Sequence, residues 1–235
     1  MRVARAERPP VTSLRQRDTH RLIPSKYLVD EDSVLTRLTR DEGALGVLFD
    51  LEQATNDRAL AENGRDLAIG PAELVFGVRY HRMVNAAFVH PHPEGARFSS
   101  PTRGAWYAGF DVKTSQAEVA WHKSIELAEV GWFDQSLTYD DLLADFTADF
   151  HDLRGRPDFA DCLAPTDYRA GQTLAELLLA EGSAGVIYPS VRRPAGTCLA
   201  AFRPALVYNV RRVATYRFTW SGGRTPTVRL QERRL

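Results

Sequence analysis

The chain is poor in cysteine, in lysine and in long apolar runs, and each shortage narrows what it can be. Cys162 and Cys198 are its two cysteines. They lie far apart and in no metal-ligand spacing, which excludes a four-thiolate zinc site and a disulfide framework and predicts reduced thiols in a core. No apolar run approaches the ~20 residues of a membrane span, so no membrane partner is expected. The opening MRVARAERPPVTSLRQRDTH has arginines but no apolar segment. That argues against a secretory leader and predicts a cytoplasmic protein. Net charge is missing too: Lys plus Arg and Asp plus Glu both number 30. The molecule therefore has no overall bias toward nucleic acid. Lysine occurs only at Lys26, Lys113 and Lys123. The basic side is almost wholly arginine, whose fork suits phosphate or carboxylate, although a GC-rich genome produces the same skew. Also absent are the G-x-G-x-x-G and G-x-x-x-x-G-K-[ST] phosphate loops, H-E-x-x-H and the G-x-S-x-G elbow. Repeats and low-complexity tracts are missing as well.

What is present reads as one core of mixed elements. Residues 1–24 are polar and look like a loose arm or an early edge segment. From Asp30 to about Leu60, Val34, Leu35, Leu38, Leu45, Leu48, Phe49, Leu51 and Ala54 recur at helical spacing and predict two helices. Ala72 to Val84 alternates in the manner of a strand. Ser115 to about Glu129 predicts a helix packing through Ala117, Ala120, Trp121, Ser124, Ile125 and Ala128. Leu137–Phe150 mixes the two periods. Thr173–Glu181 is a helix stopped at Gly182. Ala184–Tyr188, Cys198–Phe202, Leu206–Val210, Thr215–Trp220 and Thr227–Leu230 read as strands, the last two joined through Ser221-Gly222-Gly223 as a hairpin. Irregular alternation with more strand late predicts an α+β fold, with residues 1–70 an arm and helical segment before the main domain over 71–235.

The stretch from Gly95 to His122 gathers the chemistry. Arg97 follows a loop glycine, Trp106 and Tyr107 sit in a short strand, and Glu118 comes early in a helix. Each has an ordinary reading: a salt-bridging arginine, a core tyrosine, and a glutamate closing a capping box with Ser115. Ser190, after a strand and a proline, reads as a turn residue. His90-x-His92 lies between prolines with no third ligand and reads as a surface loop, so no metal is expected.

In combination these residues resemble the RES domain family. Arg97 stands in GARF, Tyr107 ten residues on in WYAG, Glu118 in AEVAWH and Ser190 in YPSVRR, and the likeness spans about residues 75–210. Arg79-Tyr80-His81-Arg82 takes the place of the family's upstream arginine, through Arg82. Ala96 and Ser99 stand where the family often has Gly and Asn.

The resemblance implies an ADP-ribosyltransferase-like mixed sheet. It also implies an NAD-degrading toxin, a glycohydrolase or phosphorylase with water or inorganic phosphate as acceptor, neutralised by an Xre-type helix-turn-helix antitoxin. NAD would be substrate, with no prosthetic group. Glu118 and Arg97 would be catalytic. Tyr107, Ser190, Arg82 and Arg79 would bind the dinucleotide. Subunit number is open, a homodimer included. Two other readings stand beside this one: transfer of ADP-ribose to a protein, and a non-catalytic interaction module using Arg192-Arg193, Arg211-Arg212 and Arg233-Arg234.

Overall fold

The computed structural model describes residues 8–28 and 68–231. The two helices expected between Asp30 and Leu60 lie outside the described residues, as do Arg233 and Arg234. The rest is a mixed α/β protein built on a seven-stranded sheet ordered β1-β2-β5-β4-β3-β6-β7. The strands are β1 (Val11–Pro24), β2 (Trp106–Gly109), β3 (Asp134–Asp152), β4 (Gly185–Pro189), β5 (Thr197–Ala201), β6 (Tyr208–Ser221) and β7 (Thr227–Leu230). Helices α1 (His81–Val89), α2 (Val112–Val130) and α3 (Arg169–Ala180) pack around it.

The sheet closes on itself through the segment expected to be a loose arm or an early edge segment. β1 ladders along β3 from Val11↔His151 to Pro24↔Tyr139, and it meets β2 at a single pair, His20↔Gly109. Closure is complete on the β3 side of the arm and rests on that one pair on the β2 side. β3 and β4 run parallel at His151↔Val186 and Asp152↔Ile187.

The mixed pattern of Leu137–Phe150 has a physical cause. Tyr139 to Phe146 is buried throughout, so the in-out alternation of a half-exposed strand is lost. Three acids interrupt its apolar run. Asp140 pairs with Arg212 at 2.8 Å, Asp141 with His20 at 2.8 Å and Asp145 with Arg211 at 3.2 Å.

The predicted strand over Ala72–Val84 is instead a 3-10 turn (Pro71–Glu73) followed by α1. Val84, Asn85 and Phe88 form the buried face of α1, which is a helical spacing. The apparent alternation upstream has no ladder to join. Its backbone is satisfied by a side chain: Val75 N–H donates to Asn85 Oδ1 at 3.1 Å, and Asn85 Nδ2 donates to the Val75 carbonyl at 2.8 Å.

α2 begins earlier than expected. Asp111 is its cap, accepting from Thr114 N–H at 3.0 Å and from the Thr114 hydroxyl at 2.7 Å. The capping box of Ser115 and Glu118 therefore does not form. Ser115 Oγ instead accepts from Gly109 N–H at 3.1 Å and donates to the His20 carbonyl at 2.6 Å, tying helix, β2 and β1 together. Gly109 permits this approach, because a Cβ there would lie 2.6 Å from Ser115 Oγ.

The packing face of α2 is also rotated from the expected stripe. Ser124 and Leu127 are buried while Ile125 is 37% exposed, and Trp220 Nε1 donates to Ser124 Oγ at 3.1 Å. Removing the cap isolates its contribution: Asp111→Ala should lower unfolding free energy by about 1 kcal/mol in urea titration, the usual worth of an N-cap.

The later elements follow the sequence closely. α3 ends at Gly182 (φ +84°), β4, β5 and β7 form where expected, and β6 turns into β7 through Gly222 (φ +77°). The two segments Leu206–Val210 and Thr215–Trp220 fuse into the single strand β6.

Candidate active site

β1 and β2 share one pair and then form no further ladder. At that divergence, between the two strands and α2, a cleft of about 350 Å³ opens, a size suited to part of a nucleotide. β1 lines it with His20, Arg21 and Leu22, β2 with Tyr107, α2 with Glu118, His122 and Glu126, and β4 and β5 with Tyr188 and Cys198. Glu118, His122 and Glu126 recur every fourth residue, so one face of α2 looks into the cleft.

Glu118, freed from capping, is held from the far side. Ser190 Oγ donates to its Oε1 at 2.7 Å and Cys198 Sγ lies 3.7 Å from the same oxygen. Ser190 is itself fixed by the turn after β4, its Oγ accepting from the N–H groups of Arg192 and Arg193, both at 3.1 Å. The hydroxyl proton is thus committed to Glu118, and Ser190 acts on that carboxylate. Glu118 Oε2 takes no hydrogen bond among the described residues. Burial together with the nearby Glu118 charge pushes the Cys198 thiol well up, so it stays protonated.

Arg97 is 7% exposed. Its Nη1 donates to the carbonyls of Cys162 (3.1 Å) and Ala164 (2.6 Å) at the end of a 3-10 turn. Its guanidinium carbon stands 4.8 Å from the centre of the Tyr168 ring, a cation–π contact. Nε and Nη2 make no hydrogen bond among the described residues. The loop carrying Arg97 is pressed onto α3 at Gly171, where a Cβ would lie 2.2 Å from the Arg97 carbonyl oxygen.

The Tyr107 hydroxyl accepts from Phe98 N–H at 2.9 Å and donates to Ser99 Oγ at 3.1 Å, so it anchors the Arg97 loop while its ring walls the cleft. Burial raises its pKa to about 12.

Arg79 and Arg82 are not among the residues lining this cleft. Arg79 packs over Tyr80, 5.3 Å from the ring centre, and Arg82 sits in the first turn of α1. The cleft's second arginine is Arg21, which the sequence reading passed over. Arg21 Nη1 donates to the Tyr107 carbonyl at 3.1 Å and the guanidinium lies 4.8 Å from the Trp106 ring centre. Its Nε is buried without a partner, and no carboxylate pairs with it among the described residues. Burial pulls its pKa down to about 10, so it remains charged at neutral pH. The signal was present in THRLIP, a short strand-like run ended by Pro24, inside a segment that reads as a loose arm or an early edge segment.

His122 was also missed. Burial first, then the Arg192 and Arg97 charges, lower its pKa from 6.5 to about 4. It is therefore neutral in the folded protein down to about pH 4, while the unfolded chain protonates near 6.5. It costs nothing above pH 6.5 and favours unfolding as pH falls from there toward 4. The ring is exposed at the cleft mouth, so solvent screens part of the effect. The melting temperature of the wild type should fall more steeply across that window than that of His122→Gln, as read by thermal scans at stepped pH.

The basic pairs are largely consumed internally. Arg192 lies 3.3 Å over the Trp121 ring, Arg193 donates to Asp111 at 3.0 Å, Arg211 bonds Asp145 and Asp18, and Arg212 bonds Asp140. Among the described residues they do not make the free basic patch that a nucleic-acid module needs.

The family model described as RES domain matches residues 73–221. No curated protein matches the chain. Among solved structures, the chain is similar to one in the crystal structure of the M.tuberculosis MbcT-MbcA toxin-antitoxin complex. That likeness has a TM-score of 0.42 and 13% identity, covering 57% of this chain and 75% of that one. The family match begins beyond β1, so His20 and Arg21 lie outside it.

Proposed function

This chain belongs to the RES domain family, and from that premise we propose that it breaks the bond between nicotinamide and ribose in NAD, as the toxin of a toxin–antitoxin pair. The observation that carries the reading is the preset carboxylate of Glu118, held by the Ser190 hydroxyl, in a cleft that also holds two arginines and aromatic walls. In NAD the nicotinamide leaves as a neutral base from a cationic pyridinium, so no acid need protonate it. Glycosidases in general use two carboxylates; this cleavage needs one.

Glu118 Oε2 takes the ribose hydroxyls and faces the positive charge that grows on the sugar as the C–N bond lengthens. Ser190 keeps the carboxylate aimed. Arg21, with Nε and Nη2 of Arg97, takes the anionic pyrophosphate. Tyr107 and Tyr188 flank the pyridine ring. Arg21, rather than Arg79 or Arg82, is the cation that would offset a phosphate acceptor. A small helix-turn-helix antitoxin of the Xre type is the partner the family supplies, and it would hold the toxin silent inside the cell.

NAD labelled in its adenine ring separates this reading from protein modification. Label should move wholly into small products, ADP-ribose or its 1-phosphate. Label retained on a macromolecule would favour transfer to protein, and label remaining in intact NAD would reject both.

A further inference from the structure

At the cleft wall His20, which lies outside the family match, is paired with Asp141 behind it, and the cleavage step above leaves this pair idle. His20 Nδ1 lies 2.8 Å from Asp141 Oδ2. The Asp141 side chain is 1% exposed, against 19% for His20. Asp141 Oδ1 is buried without any partner, so among the described residues the imidazole is this carboxylate's one hydrogen-bond partner. A buried carboxylate with half its capacity unused is a poor stabilising device.

It is well suited to holding a ring in one orientation and one tautomer. With Nδ1–H directed at Asp141, the Nε2 lone pair is left as an acceptor, and no described group donates to it. The main chain at the same residue is fixed as well, since the His20 carbonyl accepts from Ser115 Oγ at 2.6 Å. Ser115 lies three residues before Glu118 on α2, and His20 and Glu118 line the same cleft.

We propose that His20, oriented by Asp141, is the general base for a water acceptor in this cleft. The proposal rests on the NAD reading above and extends it by assigning the acceptor. The water oxygen forms a bond to the anomeric carbon of the ribose. The electrons of the breaking C–N bond go to the pyridine nitrogen and discharge its cation, and the water proton passes to His20 Nε2 and then to solvent. NAD and water give nicotinamide, ADP-ribose and one proton. Asp141 touches no reactant and is a positioning residue.

The test measures nicotinamide release from NAD in phosphate-free buffer by the full-length protein. His20→Asn keeps a donor for Asp141 but has no basic nitrogen. It should release nicotinamide about 10²-fold more slowly, the usual worth of a general base, with the melting temperature within a few degrees of wild type. His20→Ala leaves room for a small base, and millimolar imidazole should raise its rate at least about tenfold, a rescue that a merely structural histidine does not permit. A His20→Asn rate within about threefold of wild type overturns the proposal, as does a folded His20→Ala that imidazole leaves unchanged. If His20→Ala does not fold, His20→Asn decides alone. A wild type inert toward NAD removes the parent reading and this one with it, whereas an active wild type with an active His20→Asn removes only the base.

Discussion

Glu118→Gln is expected to slow nicotinamide release by two to three decades while leaving the melting temperature within a few degrees of wild type. The rate effect follows from removing a fixed charge opposite a developing cation, worth about 3–4 kcal/mol, or some two to three factors of ten. The stability expectation follows from the contacts. Glu118 caps nothing, since Asp111 holds the start of α2. Its Oε1 accepts from Ser190, and glutamine retains a carbonyl oxygen for that bond. Thermal denaturation beside a chromatographic assay separates the two quantities. A variant that melts far lower yet keeps its activity would make Glu118 a structural residue.

Arg21→Met should move activity and stability in opposite directions. The guanidinium is half-buried over Trp106 with one carbonyl acceptor, a buried and orphaned Nε and no carboxylate among the described residues. An isolated buried cation disfavours folding, and replacing it with an apolar chain of similar length is neutral or stabilising. The melting temperature should hold or rise. The same deficit of negative charge is what an anionic substrate supplies. A charged hydrogen bond of about 1.5–3 kcal/mol then predicts a KM for NAD raised by about one to two decades, with a smaller change in kcat. Steady-state kinetics on the folded variant gives both constants. An unchanged KM would remove Arg21 from the anion site.

The part of the site legible in the sequence is the part carried by local pattern. Arg97, Tyr107, Glu118 and Ser190 sit in short segments whose order and spacing resemble one family. The cleft brings Arg97, Tyr107 and Glu118 together, with Ser190 behind the carboxylate. The roles were harder to read, because they depend on who takes each hydrogen. Ser190 spends its proton on Glu118, and Tyr107 spends its hydroxyl on the Arg97 loop. His20 and Arg21 were hidden for another reason. They reach the cleft only because β1 ladders with β3 across more than a hundred residues of chain, and nothing local to a polar, arginine-rich arm announces that partner.

Fold errors have similar origins. The strand pattern over Ala72–Val84 fails because the alternation of ELVFGV has no ladder to join, while the segment's last residues open α1, whose buried face is Val84, Asn85 and Phe88. The start of α2 was misplaced because Ser115 and Glu118 imitate a capping box, whereas Asp111 caps with both a backbone and a hydroxyl donor. α3 and the β6–β7 hairpin were readable since glycines mark their ends and their periods are clean.

The most direct measurement of the central claim follows free nicotinamide over time after purified protein meets NAD, once in phosphate-free buffer and once in phosphate. The account predicts release in the phosphate-free reaction, with ADP-ribose appearing in equal amount. A flat trace in both buffers from a folded protein would contradict it.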